Sequence, residues 1–272
     1  MHTIRPLQTA AFVSLAGLAA CTATPRHSGL LSDYSRLGAL EGRQTRHAEN
    51  RPVAPPAENQ PLFIETIDFA PDVEAAAKLS DKESRLVLNQ FSRKLCTGLS
   101  RRFAIASEPG PQAYRLKAHV TELRPTSRAA AAISTPLDLA SPIGARLPVG
   151  LGAFGAEIEM LAPDGQQIAA LVWRRDADFT STGASISRIN DAYDLAGDAA
   201  SDFSELFEAK DAKRAATRIA TGLAPDVGLK RGDDACQVYG RAQDALRTAA
   251  GFLPAPKMPP EWTDKGAPQA KD

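Results

Sequence analysis

Neither sign of charge dominates this sequence: Lys+Arg and Asp+Glu number 32 each among 272 residues. A chain so balanced lacks the positive field on which nucleic-acid binding depends, and no nucleic-acid partner is expected. Aromatic residues are scarce at 6%, so Leu, Ile, Val and Ala must fill most of any core. Histidine is scarcer still, and of the four only His119 falls inside the expected folded region. No apolar run approaches the roughly 18 residues that a membrane-spanning helix needs. The catalytic signatures G-x-S-x-G, H-E-x-x-H and the P-loop lysine motif are all missing. The sequence therefore offers no catalytic residue, no cofactor and no metal-binding set, and an enzyme is not expected.

What is present begins at the N-terminus. His2 and Arg5 precede an apolar stretch, Leu7–Ala20, of signal-peptide length. The run Leu18-Ala19-Ala20-Cys21 has the small residues before an obligatory cysteine that a lipoprotein-processing peptidase requires. Cleavage between Ala20 and Cys21, with lipid on the Cys21 thiol, is the expected outcome. At about 0.8 kcal/mol for each buried CH₂, several acyl chains on one cysteine anchor stably. Loss of residues 1–20 removes only Arg5, leaving 31 cations against 32 anions and a net charge of −1. Thr22 rather than Asp follows the cysteine, which by analogy with enteric lipoproteins favours an outer-membrane, periplasm-facing location.

The expected organisation is a signal over 1–20, a lipidated cysteine with a flexible tether over 21–61, one α+β periplasmic domain over 62–250, and a disordered tail over 251–272. The tether is polar and Pro-rich, with Pro52, Pro55 and Pro56, and lacks the apolar surface to offset its ordering entropy. Roughly 40 flexible residues would span about 35 Å. Within the domain, Leu62–Phe69 reads as a strand. Ser80-Asp81-Lys82-Glu83 is a capping box, followed by Leu88, Phe91, Leu95 and Leu99 on one helical stripe, so a helix is predicted over 80–102. Phe103–Ala106 and the alternating Tyr114–Thr121 read as strands. Gly155–Leu161 and Gln167–Arg175 flank the turn Pro163-Asp164-Gly165 as a hairpin. Asp191–Leu223 and Ala235–Ala249 carry helical periodicity. The fold class is α+β: a mixed or antiparallel sheet of about five strands covered by two or three helices, in the order β-α-β-β-β-β-α.

The short stretch Gly29-Leu30-Leu31-Ser32-Asp33-Tyr34-Ser35-Arg36-Leu37 resembles the opening of a Gram-negative outer-membrane lipoprotein family of unknown function. Its members begin with G-[FL]-L-x-D-Y-S-x-L soon after the lipidated cysteine. Phe103–Glu122, Gly155–Ala170 and Asp202–Leu223 are similar in pattern to that family's later strands, hairpin and helix, so the likeness covers about residues 28–225. It implies a location and a fold type, and no activity. The Pro-rich segment 51–61 and the chain beyond Leu223 depart from it.

Several further features invite chemistry. Gly150-Leu151-Gly152-Ala153-Phe154-Gly155 spells G-x-G-x-x-G, yet a Pro-rich loop precedes it and a strand follows, the reverse of a dinucleotide site; bending into the strand is the expected role. Ala129–Leu151 is apolar and Pro-punctuated, and Ile133, Leu137 and Leu139 are candidate partner contacts, together with Tyr34. The alternative for this stretch is a loop of small residues packed on its own domain. Once Cys21 is lipidated, Cys96 and Cys236 form an even pair, a candidate disulfide in an oxidising periplasm. Glu157 and Glu159 share a strand face and read as surface residues. Asp33, Tyr34 and Arg36 are either a recognition epitope or a clasp onto the core, and the burial expected of Leu31 and Leu37 favours the clasp. The functional reading is a non-catalytic, lipid-anchored envelope protein that binds a protein partner as an accessory of a periplasmic or outer-membrane complex. The alternative is a small-molecule or lipid-binding module with an apolar pocket lined by Leu95, Leu116 and Val120; a hydrolase built on His119 is the least favoured.

Overall fold

A computed structural model describes residues 24–127, 151–178, 185–208, 233–242 and 258–267. Its strands are β1 (Thr45–Asn50), β2 (Pro61–Ile64), β3 (Asp68–Phe69), β4 (Ala104–Ala106), β5 (Tyr114–Arg124), β6 (Ala153–Leu161) and β7 (Gln167–Asp176). The helices are α1 (Val73–Ala77), α2 (Asp81–Leu99), α3 (Asn190–Ser204), α4 (Asp233–Cys236) and α5 (Pro260–Thr263). One mixed sheet runs in the order β1-β7-β6-β5-β2-β4, with β3 also paired to β5. Strands β1, β7, β6 and β5 are mutually antiparallel, whereas β2 and β3 run parallel to β5.

The alternation legible in the sequence determines which way each central strand faces. Leu116, Ala118 and Val120 of β5, Phe154, Ala156, Ile158 and Met160 of β6, and Ala169, Leu171 and Trp173 of β7 point into one core. Against this side pack α2, through Val87, Phe91, Leu95 and Leu99, and α3, through Leu195, Ala199 and Phe203. The two helices meet closely at Gly98, where a Cβ would fall 2.3 Å from Ser204 Oγ, so a side chain there would require Ser204 to shift. The scarce aromatics concentrate at this layer: Phe154 makes edge contacts with Phe91 at 5.4 Å and with Trp173 at 6.2 Å.

The capping box is formed. Ser80 Oγ accepts from the Glu83 amide at 3.4 Å, and Glu83 Oε2 accepts from the Ser80 amide at 2.8 Å. The α+β class stands, and the element list changes. The stretch Leu62–Phe69 is two short strands, β2 and β3: the Glu65 amide still donates to the Leu116 carbonyl at 2.9 Å, and the ladder is interrupted after it until Asp68. Thr45–Asn50 adds a strand that the sequence hid, since Ala48 is its one apolar residue and its pairing to β7 is made by the backbone. The predicted helix over 191–223 leaves α-geometry at Ser204 and closes with a 3-10 turn, Glu205–Phe207; residues 209–232 lie outside the described region. Of the helix expected over 235–249, the described part is α4 and the 3-10 turn Gln237–Tyr239.

Two larger corrections concern the ends. A flexible tether was expected over 21–61; of its described residues, 24–41 and β1 instead pack on the sheet, as set out below, while Val53 is fully exposed. Residues 251–272 were expected to be a disordered tail, yet 258–267 dock on α2. Arg93 of α2 donates to Asp264 Oδ2 at 2.7 Å and to Tyr193 Oη at 2.9 Å, and Tyr193 donates to the same carboxylate. The Asp264 side chain is fully buried in this network and Arg93 is nearly so. One turn further along α2, Cys96 is bonded to Cys236, with Cα atoms 5.7 Å apart. Segments 240–242 and 264–266 then hold each other through the bridge between Ala242 and Asp264 and the Lys265 amide on the Arg241 carbonyl at 3.2 Å. A single buried ion pair has no periodic signature, which is why the docking was invisible in the sequence.

Removing one member of a buried ion pair strands its partner in low dielectric. Arg93→Ala is expected to cost about 3–5 kcal/mol in urea unfolding, and reduction of the disulfide is expected to lower the midpoint further. A change under about 1 kcal/mol for Arg93→Ala would contradict this packing.

Candidate functional site

The face of the sheet on which no helix packs among the described residues holds an unusual pair of groups. Glu157 and Glu159 of β6 point away from the core, on the side where they were expected to meet solvent, yet they are 0% and 1% exposed. Burying a carboxylate is costly unless hydrogen bonds replace its water. What covers them is the chain just after residue 24. The Ser28 amide donates to Glu157 Oε1 at 2.9 Å, and Ser28 Oγ and Tyr34 Oη, the latter at 2.8 Å, both donate to Oε2. Glu159 Oε2 accepts from the Ser32 amide at 2.8 Å, from Ser32 Oγ at 2.7 Å and from Gln167 Nε2 at 2.9 Å. Neutral donors of this segment thus stand in for water at both oxygens of Glu157 and, with Gln167 of β7, at Oε2 of Glu159, while Glu159 Oε1 is buried without a hydrogen-bond partner among the described residues.

The segment is shaped to do this. The amides of Gly29 and Leu31 donate to Tyr34 Oη at 2.9 and 3.2 Å, so a tight loop closes around the phenol that reaches Glu157. His27 stacks on the Tyr34 ring with centroids 4.8 Å apart. Asp33 Oδ1 accepts from both the amide and the hydroxyl of Ser35, turning the chain back toward the sheet, and these bonds hold its carboxyl below the ordinary value. Leu31, with Tyr34 and Leu37 beside it, packs on Ala170 and Val172 of β7. Arg36 donates to the Gln167 carbonyl. The chain then crosses to the free edge of β1, where Gly38 donates to Glu49 at 2.9 Å and Glu41 and His47 exchange backbone hydrogen bonds. An exposed sheet edge is thereby covered. We refer to residues 24–41 as the strap.

Burial, then the bond to Glu157 and that carboxylate's charge, push the Tyr34 phenol above its ordinary value of 10.0, against an opposing contribution from the Leu31 amide. Beyond the strap on the same face, Arg174 lies between Glu122, at 2.7 Å, and Asp176. Burial alone would raise the Asp176 carboxyl, but its bonds to Arg174 and Arg124 outweigh this and hold it below the ordinary carboxylate range.

Another buried carboxylate accounts for the glycine motif. Asp191, at the start of α3 and 0% exposed, accepts from Thr126 Oγ1 at 2.7 Å and from the Gly152 amide at 2.8 Å. A Cβ at Gly152 would meet Asp191 Cβ at 2.8 Å and the Arg124 carbonyl oxygen at 2.9 Å. Only glycine fits there, and the reason is close packing at the mouth of the 127–151 connection. Gly155 lies within β6, where a Cβ would meet Glu122 Cβ at 3.1 Å.

The remaining sequence candidates divide clearly. Ala20, Cys21, Ile133, Leu137 and Leu139 lie outside the described residues. Tyr34, read as a partner contact, has its hydroxyl committed to Glu157. Cys96 and Cys236 are joined. His119 is half-buried and faces Glu157 across the β5–β6 register, and its side chain makes no hydrogen bond among the described residues. Leu95, Leu116 and Val120 are each 0% exposed in the main core. Among the described residues no group of three metal-ligating side chains occurs, and no helix is long and apolar enough to cross a membrane. Sequence reasoning missed Ser28 and Ser32, the two hydroxyls that complete the strap. Their spacing of four, matched to acids two apart on a strand, was the available signal.

The architecture defined here is a single mixed sheet with helices on one face and a strapped carboxylate pair on the other. The chain belongs to the family described as Protein of unknown function (DUF3313), whose profile matches residues 26–203. That match takes in the strap and ends at Phe203 in α3. Among curated proteins none matches. Two solved structures are similar over 61% of this chain and 99% of theirs: a point variant of the PelC dodecamer from Paraburkholderia phytofirmans, at 12% identity and TM-score 0.37, and the PelC dodecamer from the same organism, at 11% and 0.36.

A hydrogen bond to a charged acceptor contributes about 1.5–3 kcal/mol. Tyr34→Phe is expected to lower stability by about that amount at neutral pH. Because the folded phenol ionises above 10.0, the stability it lends is complete below that pH and is lost as pH rises through the elevated pKa. A tyrosinate absorbance titration should therefore show Tyr34 ionising late, beside Tyr239, whose phenol burial also raises. One late step should vanish in the variant. An unchanged urea midpoint together with an unchanged titration curve would contradict the clasp.

Proposed function

We propose that this protein is a non-catalytic, lipid-anchored component of a Gram-negative cell envelope, held by Cys21 at the periplasmic side of the outer membrane and acting by binding another envelope protein. The observation that carries the reading is the strap. The signal-like segment and lipobox precede it directly, and the strap takes up the chain only a few residues after Cys21. A 40-residue leash would let the domain range widely; a strap seated from Ser28 leaves seven residue steps, a reach of about 25 Å at full extension. The domain then works beside its bilayer in a restricted orientation, as suits an accessory that must meet a partner at a fixed height.

Carboxylates on the open face are consumed in holding the strap or in ion pairs, as at Glu122 and Asp176, which leaves them unsuited to acid–base chemistry and supports the non-catalytic reading. The apolar stretch around Ile133, Leu137 and Leu139 is the proposed partner contact. The described residues flanking it, Thr126 and Gly152, are both fastened to Asp191, so a binding segment between them would have a firm base.

Labelled palmitate is expected to enter the wild-type protein, and a Cys21→Ser variant is expected to lose both the label and its fractionation with the outer membrane. Unaltered processing and location of the variant would overturn the anchored reading. Crosslinking in intact envelopes should capture one reproducible partner that is lost on deleting residues 129–149.

A further inference from the structure

The docked C-terminal segment builds a cleft against α2 that neither element has alone. Its volume is about 520 Å³, and its walls are Lys82, Arg85, Leu86 and Asn89 from α2 and Asp264–Ala267 from the segment. Lys82, Arg85 and Asn89 recur at helical spacing, so one stripe of α2 supplies two cations and an amide, and Lys265 adds a third cation from the opposite wall. All three cations are exposed, and none has an ion-pair partner among the described residues. The one carboxylate in the walls is already spent: Asp264 Oδ2 receives Arg93 and Tyr193, and Oδ1 receives the Gly266 amide at 2.8 Å. Leu86, nearly buried, gives the cleft an apolar floor.

We propose that this cleft is a binding site for a small ligand carrying at least two anionic groups of the phosphate type. Arg85 presents a planar fork suited to tetrahedral oxyanions, while Lys82 and Lys265 act as mobile point charges on either side. Asn89 donates an amide to a neutral oxygen. A volume of this size takes a phosphorylated sugar-sized solute. The site does not depend on the lipid anchor, and it lies on the helical side of the sheet, opposite the strap.

Scattered surface charge predicts the opposite response to one particular substitution, and this gives the test. Titrating inorganic pyrophosphate into the full mature chain with its disulfide intact should show saturable one-to-one binding by calorimetry. Arg85→Gln and Lys265→Gln should each weaken it by about threefold to tenfold, whereas Arg101→Gln, elsewhere on the surface, should leave it unchanged. Asp264→Ala removes a negative charge from the cleft, so diffuse electrostatics would tighten binding; a built cleft loses its fastened wall, and binding should weaken. Should Asp264→Ala unfold, reduction of the Cys96–Cys236 bond under conditions where circular dichroism is retained serves the same purpose. Vesicles containing phosphatidylglycerol, compared with pure phosphatidylcholine, identify the source: competition by pyrophosphate for the anionic vesicles would assign the phosphate to a lipid headgroup, and no competition to a soluble ligand. Absence of saturable pyrophosphate binding, indifference to Arg85→Gln and Lys265→Gln, or tighter binding by Asp264→Ala would each overturn the site.

Discussion

Two carboxylates that should be in water are not, and the architecture of the open face follows from that. Glu157 and Glu159 sit in the middle of the sheet, 0% and 1% exposed, where an ionised group without partners would be very costly. The strap replaces their hydration with hydroxyl and amide donors that carry no charge. It cannot leave without exposing the acids and the apolar patch of Ala170 and Val172 together. The interaction is therefore a condition of the fold rather than an ornament on it. The same logic of satisfied burial recurs at Asp191, which fastens both ends of a long connection, and at Asp264, which fastens the C-terminal segment.

These three carboxylate sites give the molecule its sidedness. The chain leading from Cys21 is taken up on the face away from α2 and α3, while the C-terminal segment is held on α2 by Arg93 and the disulfide on the other. The family match over residues 26–203 covers the strap, the sheet and most of α3, so the clasp belongs to the part of the chain that the family profile recognises, and the α2 cleft depends in part on a segment beyond it.

The apolar patterns were legible in the sequence where burial is one-sided. Alternation located β5 and the β6–β7 hairpin, and the capping box with its apolar stripe located α2 to within a few residues. The segments that resisted reading are those held by polar groups. Thr45–Asn50 pairs through its backbone and shows no alternation; the strap and the 258–267 segment are polar and Pro-containing, which ordinarily signals disorder. Glu157 and Glu159 looked like an ordinary wet strand face because the segment that dries it lies more than a hundred residues away. Of the candidate site residues, Tyr34 with Asp33 and Arg36 could be placed from the expected burial of Leu31 and Leu37, whereas Ser28 and Ser32 could not.

Hydrogen–deuterium exchange resolved to single amides tests the central claim most directly. The amides of Ser28, Leu31 and Ser32 are expected to exchange as slowly as those of the neighbouring β6 strand, since their bonds to Glu157, Tyr34 and Glu159 open only when the strap lifts from the sheet. Exchange of these three at the rate of an unstructured peptide, with β6 still protected, would contradict the account.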